Sequence, residues 1–133
     1  MPGAPMPKLA ETSACATTVL VVDDEEFLRQ MMAEFLEMSG YRVMAAATAD
    51  EAVAALRTTP VDVVFTDVRM PGAMDGIGLA QWVRCHRPTT RILMTSGFTT
   101  RAPQVVELSH APLIAKPYRP EEVVRRVQEL TTH

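Results

Sequence analysis

Short apolar runs alternate with amphipathic stretches along the chain from about Thr18 onward. The apolar runs predict strands at residues 19–22, 42–47, 61–66, 91–95 and 112–115. The periodic stretches predict helices at 25–39, 49–57, 77–86 and 121–130, with a shorter segment at 103–108. Gly40 after the first helix and Pro120 at the start of the last one support these boundaries. Five successive strand and helix units predict an α/β fold.

The predicted strands are apolar almost throughout, and their alternation with polar residues is weak. Such strands are typical of a parallel sheet that helices cover on both faces. We therefore predict a doubly wound, five-stranded parallel sheet of the flavodoxin-like (βα)5 type, with strand order 2-1-3-4-5. This domain is expected to span residues 19–131. Residues 1–18, which carry three prolines and no periodic pattern, are expected to form a flexible N-terminal leader.

Carboxylates follow two of the predicted strands. Asp23 and Asp24 end the first strand, and Asp67 ends the third. In the order 2-1-3-4-5 these strands are neighbours at the point where the strand order reverses, so the three acids should meet at the carboxyl edge of the sheet. Three carboxylates packed together require a cation. Mg²⁺ is the expected one, because it prefers oxygen ligands.

A lysine and a hydroxyl are predicted at the same edge. Lys116 follows the fifth strand and precedes Pro117, and Ser96 ends the fourth strand. Thr95 is an alternative hydroxyl, since strand alternation alone does not decide which of the two faces the acids. Acids, a lysine and a hydroxyl together suit the binding of a phosphoryl group while a carboxylate attacks it in line. The chemistry implied is formation of an aspartyl phosphate.

Taken in order at the strand ends, these residues resemble the receiver domain of two-component response regulators, in its stand-alone single-domain form, over residues 18–131. The residues that carry the resemblance are Asp23-Asp24, Asp67-Val68-Arg69-Met70-Pro71-Gly72, Asp75-Gly76, Thr95-Ser96-Gly97 and Lys116-Pro117.

The resemblance implies a role for each of these site residues. Asp67 would be the phosphoacceptor, Ser96 would hydrogen-bond the phosphoryl group, and Lys116 would pair with it. The implied metal ligands are Asp24 directly, Asp23 through water, Asp67, and the backbone carbonyl of Arg69. Such a domain catalyses its own phosphorylation and dephosphorylation but is not a conventional turnover enzyme.

The resemblance also implies partners. The phosphodonor would be a sensor histidine kinase or a histidine phosphotransfer protein, and signalling would proceed by phosphorylation-dependent binding to a downstream protein that the sequence does not identify. A homodimer formed on phosphorylation stays open. So do two alternatives: an isolated receiver fragment of a hybrid histidine kinase or multidomain regulator, and a scaffold that works without phosphorylation. A haloacid-dehalogenase type of phosphatase is disfavoured, because it needs Asp-x-Asp after its first strand.

Four positions depart from the commoner pattern of the family. Leu113 stands where an aromatic residue often reports phosphorylation, so that readout is in doubt. Gly97 replaces a common alanine and is expected to loosen the backbone there. Ala73 lengthens the loop after Asp67 by one residue, and Arg69 places a cationic side chain two residues beyond the acceptor.

Charge and cysteine content narrow the classes of partner. The 133 residues carry a formal net charge of −3, which gives no reason to expect binding to nucleic acid. The two cysteines, Cys15 and Cys85, are far apart and form neither a metal-binding pattern nor a disulfide framework. The longest apolar runs are too short to span a membrane, and no secretory signal is recognisable. A cytoplasmic location is therefore expected.

The first helix has an unusually broad apolar arc, about 180° wide at 100° per residue. Covering one face of a sheet requires a narrower stripe, so part of the arc should stay exposed. Phe27, Leu28 and Met31 lie in the turns nearest Asp24. These residues are expected to contact the phosphodonor, with Met31 as the first position to test by introducing a charge. A generous core stripe is the alternative.

Overall fold

The computed structural model describes residues 16–97, 107 and 111–132. Within these ranges the elements in chain order are β1 (Thr18–Val22), α1 (Glu26–Met38), β2 (Arg42–Ala46), α2 (Ala49–Thr58), β3 (Val63–Asp67), α3 (Gly76–His86), β4 (Arg91–Ser96), β5 (Leu113–Ala115) and α4 (Pro120–Thr131). The segment at 103–108 lies outside the described residues, apart from Glu107 in helical conformation.

The five strands form one parallel sheet in the order β2-β1-β3-β4-β5, which confirms the predicted fold class and strand order. β1 therefore lies beside β3, as the convergence of the acids requires. In the register of the sheet Asp67 pairs with Thr95, and Thr95 pairs with Ile114. The carboxyl ends of β1, β3, β4 and β5 meet at one edge, and the candidate site residues lie there.

Two apolar cores cover the two faces of the sheet. One contains Val19, Val21, Phe65 and Leu93 together with buried residues of α1 and α4. The other contains the alternate strand residues together with buried residues of α2 and α3. Successive side chains of a strand point to opposite faces, so the sheet divides an apolar sequence between both cores. This arrangement explains why the strands show so little polar alternation.

The predicted boundaries differ from the structure by one or two residues at several elements. β3 begins at Val63 rather than at residue 61, and α3 begins at Gly76 rather than at 77. Pro120 is the first residue of α4, where its missing N–H costs no helical hydrogen bond. Gly40 has φ of 100° after α1, as its C′ position requires. In the described part of the chain, no helix is long and apolar enough to cross a membrane.

Candidate functional site

Three carboxylates meet at the carboxyl edge, between the ends of β1 and β3. One carboxylate oxygen from each of Asp23, Asp24 and Asp67 lies within 4.8 Å of the others. Asp23 and Asp67 are buried, whereas Asp24 is exposed. The arrangement gathers only oxygen donors, which is the donor set that a hard divalent cation prefers.

Asp23 also organises the start of α1. Its Oδ1 accepts a hydrogen bond from Glu25 N at 2.9 Å, and its carbonyl accepts one from Arg29 Nη1 at 2.9 Å. Glu25 is the N-cap residue of α1 and makes no side-chain cap bond. Asp23 therefore does not cap α1, because it accepts a hydrogen bond from the N-cap residue and stands outside the helix.

The electrostatic balance at Asp23 is unfavourable to a bare carboxylate. Burial raises the pKa of the Asp23 carboxyl above its usual range, and the charges of Asp67 and Asp24 add to the rise. The hydrogen bond from Glu25 and the charge of Lys116 lower it, but they do not offset the burial. Added positive charge would stabilise the ionised form.

Lys116 reaches the acids from the end of β5. Its Nζ lies 2.8 Å from Asp67 Oδ2. Burial alone would lower the pKa of the Lys116 ammonium, but the hydrogen bond to Asp67 and the charges of Asp67, Asp23 and Glu25 outweigh it and raise the pKa. The ammonium therefore stays charged beside Asp67. The Lys116–Pro117 peptide bond is cis.

The loop after β3 holds the other oxygen of Asp67. Arg69 N donates a hydrogen bond to Asp67 Oδ1 at 3.2 Å, so the Arg69 backbone lies against the carboxylate. Asp24, Arg69 and Asp75 line a shallow hollow of about 400 Å³ next to the acids, together with Met70 and Pro71.

Gly76 brings the start of α3 unusually close to Asp67. Gly76 N donates to Val68 O at 2.9 Å, and a Cβ built on Gly76 would lie 2.0 Å from the Asp67 carbonyl oxygen. Asp75 caps the same helix by accepting a hydrogen bond from Gly78 N at 2.9 Å. The position therefore requires glycine, and the Asp75-Gly76 pair fixes α3 against the backbone of Asp67.

Both hydroxyl residues at the end of β4 are buried. Lys116 N donates to Ser96 O at 2.8 Å, which ties β5 to the end of β4. Thr95 O accepts from Val68 N at 2.9 Å. Because Thr95 pairs with Asp67 in the register, Thr95 shares a sheet face with the acid, and Ser96 points to the opposite face. The role of either hydroxyl in binding a phosphoryl group stays a prediction.

Tyr118 belongs to the surroundings of the site and is not among the site residues that the sequence predicts. Its ring packs edge-on against Phe65, with the ring centroids 5.7 Å apart. Burial raises the pKa of its hydroxyl to about 12, and the charges of Asp23, Asp67 and Glu25 contribute. Its place two residues after Lys116 was the signal available in the sequence.

Comparisons with known proteins agree with this geometry. The family model of the response regulator receiver domain matches residues 19–128. The transcriptional regulatory protein ResD of Bacillus subtilis is 36% identical over 115 residues, which cover 86% of this chain and 48% of ResD. The C4-dicarboxylate transport regulator DctD of Rhizobium meliloti is 32% identical over 87% of this chain and 26% of DctD. The chain thus spans half or less of the length of these two curated relatives.

Solved structures give the same result. A putative response regulator from Chloroflexus aurantiacus superposes with a TM-score of 0.81 at 33% identity, covering 89% of this chain and 99% of that one. The chemotaxis response regulator CheY4 of Vibrio cholerae superposes with a TM-score of 0.79 at 33% identity, covering 86% of this chain and 98% of CheY4. On the family match, the fold and these similarities, the chain belongs to the receiver domain family of two-component response regulators.

Proposed function

We propose that this chain accepts a phosphoryl group from a phosphohistidine on Asp67 and signals by binding a partner protein when phosphorylated. One observation carries the proposal: carboxylate oxygens of Asp23 and Asp24 lie within 4.8 Å of one from Asp67, and the Lys116 ammonium lies 2.8 Å from Asp67 Oδ2. These surroundings suit an anionic nucleophile that must approach an anionic phosphoryl group, because Lys116 and a cation held by the acids would neutralise the charge of both.

The transfer consists of one displacement at phosphorus. A carboxylate oxygen of Asp67 attacks, the P–N bond of the phosphohistidine breaks, and the bonding electron pair returns to the imidazole. Lys116 neutralises part of the charge on the phosphoryl oxygens, and the Arg69 amide keeps the carboxylate oriented through Oδ1. Ser96 is proposed to hydrogen-bond the transferred group.

Mg²⁺ is the metal that we propose for the acidic cluster. Asp23, Asp24, Asp67 and the Arg69 carbonyl would hold it, and their oxygen-only donor set fits this ion. A bound Mg²⁺ supplies positive charge to the phosphoryl oxygens during transfer. The raised pKa of Asp23 supports the proposal, because three acids share the site with a single lysine.

Labelling with acetyl phosphate and Mg²⁺ tests the acceptor. The wild-type protein should gain one phosphoryl group in a linkage that hydroxylamine cleaves, and Asp67→Asn should gain none. Asp62→Asn is the matched control, since Asp62 lies at the opposite edge of the sheet. Stoichiometric labelling of Asp67→Asn would show that the acceptor is another residue.

The phosphodonor is proposed to dock on α1. Phe27 is 77% exposed and Met38 is 83% exposed, so the arc is incompletely covered, as its width predicted. Met31, the first choice from the sequence, is half-buried and packs against the core, so a charge there would disturb folding. The test therefore moves to Phe27, in the first turn of α1 and next to the acids.

Phe27→Glu should slow transfer from the cognate phosphohistidine about tenfold and leave labelling by acetyl phosphate unchanged. Met38→Glu is the control, because Met38 is equally exposed at the far end of the same helix. Transfer at the wild-type rate in Phe27→Glu would remove α1 from the docking surface.

A cytoplasmic location is part of the same proposal. The two curated relatives are longer than the part that this chain matches, which is 48% of ResD and 26% of DctD. A scaffold that works without phosphorylation is disfavoured, since it would not need three converging acids and a paired lysine.

A further inference from the structure

Thr95 carries a buried hydroxyl that makes no hydrogen bond within the described residues. The residue is 1% exposed. Two other buried threonines behave differently: Thr66 Oγ1 donates to Asp67 O at 3.0 Å, and Thr90 Oγ1 donates to Val61 O at 2.7 Å. Buried hydroxyls are almost always paired, so an unpaired one calls for a functional explanation.

The position of Thr95 places this hydroxyl beside the phosphoacceptor. Thr95 is the register partner of Asp67 on the neighbouring strand, and both side chains project from the same face of the sheet. Thr95 O accepts a hydrogen bond from Val68 N at 2.9 Å, which holds the end of β4 against the residue after Asp67. Ser96, the hydroxyl that the family resemblance assigns to the phosphoryl group, projects from the other face.

The side chain of Lys116 crosses β4 at this point. Its Cδ lies 4.0 Å from where a Cβ on Gly97 would be, and its Nζ reaches Asp67 Oδ2 on the far side of β4. Gly97 directly follows the last residue of β4, so the lysine side chain passes the carboxyl end of this strand, where Thr95 lies.

Both oxygens of Asp67 already have donors in this arrangement. Oδ1 accepts from Arg69 N, and Oδ2 accepts from Lys116 Nζ. A phosphoryl group on Asp67 would move negative charge outward, and the mobile ammonium would follow it by charge attraction. The carboxyl oxygen that Lys116 leaves would then lose its donor, with the Thr95 hydroxyl beside it.

We propose that Thr95 is a further residue of the phosphorylation site: its hydroxyl donates a hydrogen bond to the Asp67 oxygen that Lys116 leaves when the lysine turns to the phosphoryl group. This inference rests on the proposed function. The Thr95 hydroxyl then gains its partner only in the phosphorylated protein, where it stabilises the acyl oxygen of the aspartyl phosphate.

Thr95→Val tests the proposal, because valine keeps the shape of the side chain and removes its donor. Binding of Mg²⁺ with beryllofluoride, a tetrahedral mimic of the phosphoryl group, should weaken about threefold to tenfold. Thr95→Ser should restore it. The melting temperature without beryllofluoride should stay equal or rise, since the hydroxyl is unpaired there. Thr90→Val should do the opposite: it should lower the melting temperature and leave beryllofluoride affinity unchanged.

A double-mutant cycle with Lys116→Ala tests the same contact without phosphorylation. Removing Lys116 frees Asp67 Oδ2, so the Thr95 hydroxyl should donate to it already, and Thr95→Val should now lower the melting temperature. The same change in melting temperature in both backgrounds, or an unchanged beryllofluoride affinity in Thr95→Val, would overturn the proposal. A wild-type protein that binds no beryllofluoride would instead contradict the proposed function, and the cycle would still decide the Thr95 contact.

Discussion

The two edges of the sheet treat their buried polar groups differently. At the amino edge, where the strands begin, these groups are paired. Thr18 N donates to Asp62 Oδ2 at 2.8 Å, Arg91 N donates to Asp62 O at 2.8 Å, and Thr90 Oγ1 donates to Val61 O. At the carboxyl edge two buried acids lie close together, and the hydroxyls of Thr95 and Tyr118 are unpaired within the described residues.

The paired polar groups stabilise the fold, whereas the unpaired ones are available to bind a ligand. A paired buried hydrogen bond contributes about 1 kcal/mol, whereas an unpaired buried group costs about 1 to 3 kcal/mol. Unpaired buried groups at the carboxyl edge therefore provide binding capacity there at the expense of stability. Substitutions that remove polar groups should therefore have opposite effects at the two edges.

The largest effect is expected where the carboxyl edge is packed most tightly. Gly76→Ala would put a methyl group 2.0 Å from the Asp67 carbonyl oxygen, and because that neighbour is backbone, either α3 or Asp67 must move. We expect a loss of about 3 kcal/mol in the free energy of unfolding, together with loss of labelling by acetyl phosphate. Urea unfolding and labelling measure the two effects.

Gly97→Ala is the control for this prediction. A Cβ on Gly97 meets only Lys116 Cδ, at 4.0 Å, which is ordinary contact. Stability should change by less than about 1 kcal/mol, and a slower loss of the phosphoryl group is expected because the backbone stiffens. If Gly76→Ala were as mild as Gly97→Ala, the close approach of α3 would not be needed to position Asp67.

The second effect compares two aspartates. Asp23→Asn keeps the acceptor for Glu25 N and removes a buried charge that faces Asp67 and Asp24, so the metal-free protein should gain about 1 kcal/mol while Mg²⁺ binding weakens at least tenfold. Asp62→Ala should lose about 1 kcal/mol, because Thr18 N loses its acceptor. Thermal unfolding and calorimetric Mg²⁺ titration measure both. Destabilisation by both substitutions would erase the contrast between the edges.

The gain in Asp23→Asn should depend on pH. The pKa of Asp23 is raised in the folded protein, so folding favours its protonated form. The stability that this provides to the wild type is fully present below the ordinary value of 3.8 and is lost as the pH rises through the folded pKa. The advantage of Asp23→Asn should therefore shrink on acidification toward pH 3.8.

How far the sequence predicts this molecule also differs between regions. The apolar runs of the strands and the signals at Gly40 and Pro120 are local, so the fold class and most boundaries follow from the pattern, whereas the strand order came from the flavodoxin-like fold that the pattern indicated. The acids and Lys116 are predictable too, because strand ends in a parallel sheet meet at one edge. Neither the exposure of Phe27 over Met31 nor the unpaired state of Thr95 could be predicted, since both depend on packing between elements distant in sequence.

The smallest effect is expected at Tyr118. Tyr118→Phe keeps the edge contact with Phe65 and removes an unpaired buried hydroxyl, so the free energy of unfolding at neutral pH should rise by up to about 1 kcal/mol. Tyr41→Phe is the matched control: the Tyr41 hydroxyl bonds to Thr131, so its removal should lower the free energy of unfolding.

The pKa of Tyr118 is raised to about 12, so the folded protein keeps its proton while the unfolded chain ionises near the ordinary value of 10.0. The wild type should therefore lose stability as the pH rises from about 10 to about 12, and Tyr118→Phe should lose less of it. Denaturant unfolding at pH 7 and pH 11 measures both effects. Destabilisation at pH 7 in Tyr118→Phe would mean that the hydroxyl has a partner in solution and would remove it from the unpaired groups of the carboxyl edge.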